Sequence, residues 1–244
     1  LPEPTVAALK RMRHRTAPLR RRLAGVPQVD AIDMGDFRRL TPISRTSGRD
    51  RGTPIDRYYI ERFLESHRAD VHGRVMEIRD DTYSRRYGGD RVVHVDVVSK
   101  TADNTEATIV ADLSNAPQIS GDQFDAIIFT QTLQFIFDAQ AAIDTLYRIL
   151  KPGGVLLMTV PGTTSAGRAI ADMWSFTESS VKGLLNGPFD ADDITTTVSG
   201  NVLVAIALLQ GLSQEELDRT ELEYVDPDYP VTIAARAVKS TRTV

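Results

Sequence analysis

Hydrophobic positions along this chain alternate between two rhythms. Short apolar runs, Arg74–Ile78, Arg91–Val98, Ala107–Val110, Asp125–Thr130 and Val155–Val160, are too short for helices, and the second is valine-rich as buried parallel strands are. Between and around them the spacing changes to a helical one. Ile55–His67 places Tyr59, Ile60, Phe63 and Leu64 at i, i+3, i+4 positions and predicts an amphipathic helix. Ala139–Leu150 predicts a crossover helix, closed by Lys151, Pro152, Gly153 and Gly154. Phe124–Gly162 therefore reads strand, loop, helix, turn, strand, which is a βαβ unit and implies a parallel sheet. Further on, Glu178–Leu185 and Asn201–Leu212 read as helices, and Ile194–Val198 and Val231–Lys239 as strands. The expected fold is α/β: a Rossmann-like open sheet of about seven strands, mostly parallel with an antiparallel edge strand, and helices on both faces.

At 244 residues and 41% hydrophobic, the chain can bury one substantial core. The longest apolar run, Val202–Leu209, is too short to span a bilayer, so no membrane role is expected. Cysteine is absent, which excludes disulfides, thiolate metal sites and a cysteine nucleophile. His14, His67 and His72 show no ligand spacing with carboxylates, so no metal is expected. No secretory pattern occupies Leu1–Leu9, and the expected location is the cytoplasm.

Charge changes the domain picture. Residues 1–51 carry twelve Lys/Arg against five Asp/Glu, while the whole chain has a net charge of −4. The expected organisation is a basic N-terminal arm over 1–52, with one or two short helices within Thr5–Leu23, and a Rossmann-like domain over 53–244. The arm has no interleaved aromatics and no nucleic-acid motif follows it, which argues against nucleic acid. Packing on the acidic domain and homodimer formation remain open for it. Neither a Gly-x-Ser-x-Gly elbow nor a Walker-type loop is present, which argues against an esterase and a nucleoside triphosphatase.

FDAII, QTLQFIFD and LKPGGVLLMTVPG, within Phe124–Gly162, resemble the fourth and fifth strand region of class I S-adenosylmethionine-dependent methyltransferases. Thr41–Leu64 and the run VMEIRDDTYSRRYGGDRV are similar to a bacterial, type 11-like subgroup with a degenerate glycine-rich loop. The resemblance implies S-adenosylmethionine as cofactor, held by Glu77, Ile78 and Arg79 at the end of the first strand. In the family an acid and a hydrophobe there precede Gly-x-Gly-x-Gly, because the backbone must approach the ligand closely. Here the glycine positions hold Arg79, Asp81 and Tyr83. Asp96, about twenty residues past Glu77 and read as the end of the second strand, is the expected ribose partner. Asp112 and Leu113 correspond to the adenine contacts, Thr130 and Gln131 to the loop beside the sulfonium, and Tyr58 to a helix lid over the mouth.

Gln134, Trp174 and Phe176 are the expected substrate contacts, with Tyr224 a further aromatic of the late half. Gln134 stands near a position where relatives commonly carry histidine, and an amide is no general base at neutral pH. No catalytic residue is assigned. Two functions follow: methyl transfer to an oxygen or nitrogen of a small molecule, or the same fold repurposed for a non-methylating cyclisation or rearrangement, or for a non-catalytic partner role.

Overall fold

The computed structural model describes residues 27, 31–165 and 172–241, and by its internal contacts the chain divides into two units, Leu1–Thr41 and Pro42–Val244. The predicted helices within Thr5–Leu23 lie outside the described residues. The described part of the first unit holds one short 3-10 turn, Gly35–Phe37. Residues 42–52 belong to the larger unit, where the Ser44 amide donates to the Gln210 carbonyl at 3.0 Å.

In the larger unit seven strands form one sheet: β1 (Gly73–Ile78), β2 (Val92–Ser99), β3 (Ile109–Val110), β4 (Phe124–Thr130), β5 (Leu150–Pro161), β6 (Ile194–Ser199) and β7 (Thr232–Val238). Their order is β3-β2-β1-β4-β5-β7-β6. The first five pair in parallel, and β7 runs against both β5 and β6. The sheet is thus Rossmann-like, with its strand order reversing between β1 and β4. Ligands in such sheets bind at the carboxyl ends of the strands beside that switch.

The central strands are apolar on both sides because helices cover both faces. Met76, Ile127, Phe129, Leu156 and Met158 pack into one core with α2 (Ala139–Ile149) and α3 (Glu178–Leu185). Val75, Ala126, Ile128 and Leu157 pack on the other face with α1 (Ile55–Ser66) and Tyr83 and Tyr87. The alternation follows from the two-residue side-chain period of a strand. A third cluster joins α1 to α4 (Val202–Gln210) and the short α5 (Arg219–Glu223) through Ile55, Tyr59, Val204, Ala207 and Leu222.

Capping explains the helix bounds. Asp138 accepts from the Ala141 amide at 3.0 Å to start α2, and the Asn201 side chain accepts from the Val204 amide at 3.1 Å to start α4. Gly211 stops α4 in a left-handed conformation at φ 72°, where a Cβ would come within 2.2 Å of the Ser44 carbonyl oxygen. One boundary differs from expectation. Lys151–Gly154 do not form a free turn but already belong to β5, with the pairing register shifting between Phe124 and Ala126. Lys151 is held there by its ion pair with Asp125 at 2.8 Å.

Candidate cofactor and substrate cleft

The carboxyl ends of β1 to β5 bring together Arg79, Lys100, Asp112, Gln131 and Gly162, and each strand end is fixed differently. After β1 the backbone of Arg79 turns left-handed at φ 76°. A side chain there is unfavourable by roughly 1–2 kcal/mol relative to the right-handed region. Two hydrogen bonds hold the turn: the Arg79 amide donates to the Val98 carbonyl at 3.1 Å, and Asn104 Nδ2 donates to the Arg79 carbonyl at 2.7 Å. The guanidinium is exposed. The backbone has kept a glycine-like turn without the glycine.

Glu77, the acid before this turn, is buried at 3% exposure. Its carboxylate accepts from the Tyr83 amide at 3.0 Å, the Ser84 amide at 2.7 Å and Ser84 Oγ at 2.6 Å. Both oxygens therefore organise the loop, which runs into a π-type turn over Ser84–Gly88. Burial pushes the Glu77 carboxyl up to about 7, against the pull of those bonds towards the charged form.

The second strand corrects an expectation. Asp96 does not end β2, because the strand continues through Val97 and Val98 to Ser99, and Asp96 lies opposite Met76, inside β1. Its carboxylate accepts from Arg74 Nε at 2.7 Å and from Thr108 Oγ1 at 3.1 Å, and His94 Nε2 lies 3.4 Å away. Arg74 also donates to Gln123 just before β4, so this network ties the amino ends of β1 and β4 together. Burial works to raise the Asp96 carboxyl, but the Arg74 bond and charge outweigh it and hold it low. The valines continuing past Asp96 were the available sequence signal for its mid-strand position.

What does stand at the end of β2 is Lys100, paired at 2.9 Å with Asp112, which follows β3. Lys100 and the Ser114 hydroxyl and amide hold the Asp112 carboxyl at about 2, fully ionised at neutral pH. Leu113 beside it is buried. After β4, Gln131 also turns left-handed at φ 45°, and its amide donates to the Thr159 carbonyl at 2.8 Å. Thr130, ending β4, accepts through its carbonyl from Thr132 Oγ1 at 2.8 Å. Gln134 is buried and its side chain reaches Gln131 at 3.5 Å.

The expected aromatic contacts separate. Trp174 is partly exposed and donates through Nε1 to the Ile136 carbonyl at 3.0 Å, so it flanks the Gln134 loop. Phe176 instead belongs to the main core at 5% exposure. Tyr58 turns towards α5, accepting from Arg62 at 2.8 Å. Its neighbour Arg57 is the α1 residue that reaches the β1 loop, by a hydrogen bond to the Tyr83 hydroxyl. Asp56, at the start of the same helix, has its carboxyl raised by burial. Tyr224 lines a separate hollow of about 300 Å³ with Asn201, Leu203, Thr220 and Glu221. Arg57, Lys100 and Asn104 were missed from the sequence because each acts through a partner in another segment, and Ser84 because it meets Glu77 only where the loop folds back.

Residues 74–158 match a family described as a methyltransferase domain. No curated protein matches the chain. A putative methyltransferase from Bacillus halodurans superposes with a TM-score of 0.51 at 12% identity, over 75% of this chain and 100% of that one. The [4+2]-cyclase SpnF superposes with a TM-score of 0.50 at 14% identity, over 98% of this chain and 97% of that one. At such identities the superpositions speak for the fold alone. The matched segment, about a third of the chain, is thus similar to a methyltransferase domain, and the superpositions agree with a Rossmann-like methyltransferase fold.

Proposed function

We propose that the chain is an S-adenosylmethionine-dependent methyltransferase acting on an oxygen or nitrogen of a small molecule. The observation that carries this reading is the left-handed turn at Arg79, which keeps the backbone cradle after β1 although all three glycines of the motif are gone. Its side chain points into solvent, so the substitution leaves the turn itself open to a ligand. The cofactor would be held by the backbone at Ile78 and Arg79, by Asp112 and Leu113, and by Thr130 and Gln131. When bound, it supplies a methyl group already activated on a sulfonium. The protein's task is then to orient the acceptor in line and keep water out, a role that needs no strong base. Glu77 is a positioning residue here, since both its oxygens are engaged by the loop. The cytoplasm as location, and dimer formation through the N-terminal arm, are carried as parts of the same proposal.

A second reading keeps the cavity and drops methyl transfer in favour of a cyclisation, a rearrangement or a non-catalytic partner role. The observation favouring it is Asp96, whose carboxylate is engaged by Arg74 and leaves a lysine at the β2 end where a ribose-binding acid is expected. SpnF, a cyclase, superposes over nearly the whole of both chains, which fits this reading at the level of the fold. Calorimetric titration with S-adenosylmethionine and S-adenosylhomocysteine separates the two. Micromolar binding of either supports methyl transfer. No binding at millimolar ligand, with the protein shown folded, supports the second reading.

A further inference from the structure

At the carboxyl ends of β4 and β5 the chain buries polar atoms that it leaves unsatisfied. Gln134 is only 5% exposed, and its Oε1 has no hydrogen-bond partner among the described residues; nor does Nε2 of Gln131. The two amides touch once, Gln134 Nε2 to Gln131 Oε1 at 3.5 Å. Two amides joined by one bond have a donor and an acceptor left over, whichever way each is turned. Buried amide groups without partners are uncommon and costly. The Gln131 backbone is held in place by its left-handed φ of 45° and its bond to Thr159.

Beside this pair lies an apolar platform. The Met173 amide donates to the Gln134 carbonyl at 2.8 Å and Trp174 donates to the Ile136 carbonyl at 3.0 Å, which fastens the segment onto the Gln134 loop. Phe137 is left 75% exposed, Met173 50% and Trp174 41%. The Phe137 and Trp174 rings are 6.0 Å apart, so two aromatic surfaces adjoin two unsatisfied amides. Exposed aromatic area next to buried polar groups is the make-up of a small-molecule site.

We infer that Gln131 and Gln134 read the polar edge of the substrate: a hydrogen-bond donor and an acceptor side by side, as in a lactam, borne on a flat apolar body that rests on Phe137 and Trp174. The inference deepens the proposed function and rests on its placement of the substrate beside the β4 loop. The two amides act as specificity-determining residues, since neither can take a proton at neutral pH.

The test uses the full chain without any S-adenosyl compound, with oxindole as probe and N-methyloxindole as the control that lacks the donor. Trp174 is the sole tryptophan of the chain, so its fluorescence reports binding at the platform directly. Oxindole should bind at least about tenfold more tightly than its N-methyl derivative, the value of one good hydrogen bond. Gln134→Met, which removes the acceptor for the probe N–H, should bring the two probes to within about twofold, whereas Gln131→Met, which removes the donor to the carbonyl both probes share, should weaken both. Phe137→Ala, an exposed change, should weaken both probes by a similar factor and preserve their ratio. Equal affinities in the unaltered protein overturn the inference, as does a ratio that survives Gln134→Met. So does the absence of saturable binding by either probe at millimolar concentration. A parallel titration with S-adenosylhomocysteine keeps the two proposals separate: probe discrimination without cofactor binding sinks methyl transfer alone, and the reverse sinks this one alone.

Discussion

The two halves of the cleft are built on different principles. On the β4–β5 side the strands are apolar over most of their length, and Thr130, Gln131 and Gln134 lie at the end of β4 or just past it. On the β1–β2 side a strand end rarely coincides with the residue that matters. Glu77 faces inward to brace its own loop, Asp96 sits within β2 facing Arg74, and Lys100 holds the outer position. One side presents groups left over for a ligand, and the other spends its charged groups on itself. Under the proposed function, backbone shape would hold the cofactor here and side chains would choose the substrate.

The sharpest way to break that contrast is at Arg74. Arg74→Met leaves the Asp96 carboxylate buried with only Thr108 and His94 nearby. The loss of a buried charge partner is expected to destabilise the fold by about 3 kcal/mol, read by chemical denaturation. Adding Asp96→Asn to Arg74→Met should recover part of that loss, because the stranded charge is gone. A negligible effect of Arg74→Met would show that the network is not structural.

Glu77 gives the next effect, and its sign is fixed by linkage. A carboxyl raised to about 7 from a usual value near 4.5 keeps its proton in the folded state over a range where the unfolded chain has lost it. Its contribution is therefore full below the unfolded value and is lost as pH rises towards 7. Stability should fall by about 1–3 kcal/mol between pH 4.5 and 7 and then level off. In Glu77→Gln that slope should be absent, although the loop loses an acceptor. Stability that rises through the same window in the unaltered protein, and equally in the variant, would contradict this account of Glu77.

Arg79→Gly sharpens the comparison from the other direction. It relieves the left-handed strain and gives back part of the gain as unfolded-state entropy, so a net stabilisation of about 0.5–1 kcal/mol is expected, with cofactor affinity kept or improved. Falling affinity with improved stability would instead assign the guanidinium to the ligand. Lys100→Ala should have the smallest effect. Its pair with Asp112 is largely solvent-exposed and should contribute less than about 1 kcal/mol, declining with salt.

The sheet was legible in the sequence because its strands are short apolar runs set between helical periods, and FDAII and VLLMTV fall on β4 and β5 as read. The 3-10 and π-type turns and the five-residue α5 were not, since each is too short to show a period. Gln131 and Gln134 lie just past the end of β4, where the sequence put them. Asp96 was misplaced because an acid in a valine run looks like a strand end, and only Arg74, across the sheet, explains its burial. Tyr58 and Arg57 differ by one position on α1, and a helical period of 3.6 turns that difference into opposite destinations. Which α1 residue met the β1 loop was thus a matter of tertiary packing.

In the proposed function the cofactor is gripped by the backbone at Arg79 and the β3 and β4 ends, without Asp96. The most direct test of this is calorimetric titration of S-adenosylhomocysteine into the unaltered chain and into Asp96→Asn, side by side. Micromolar affinity is expected in both, within about twofold of each other. A loss of tenfold or more in the variant, or no binding by the folded unaltered chain at millimolar ligand, would contradict it.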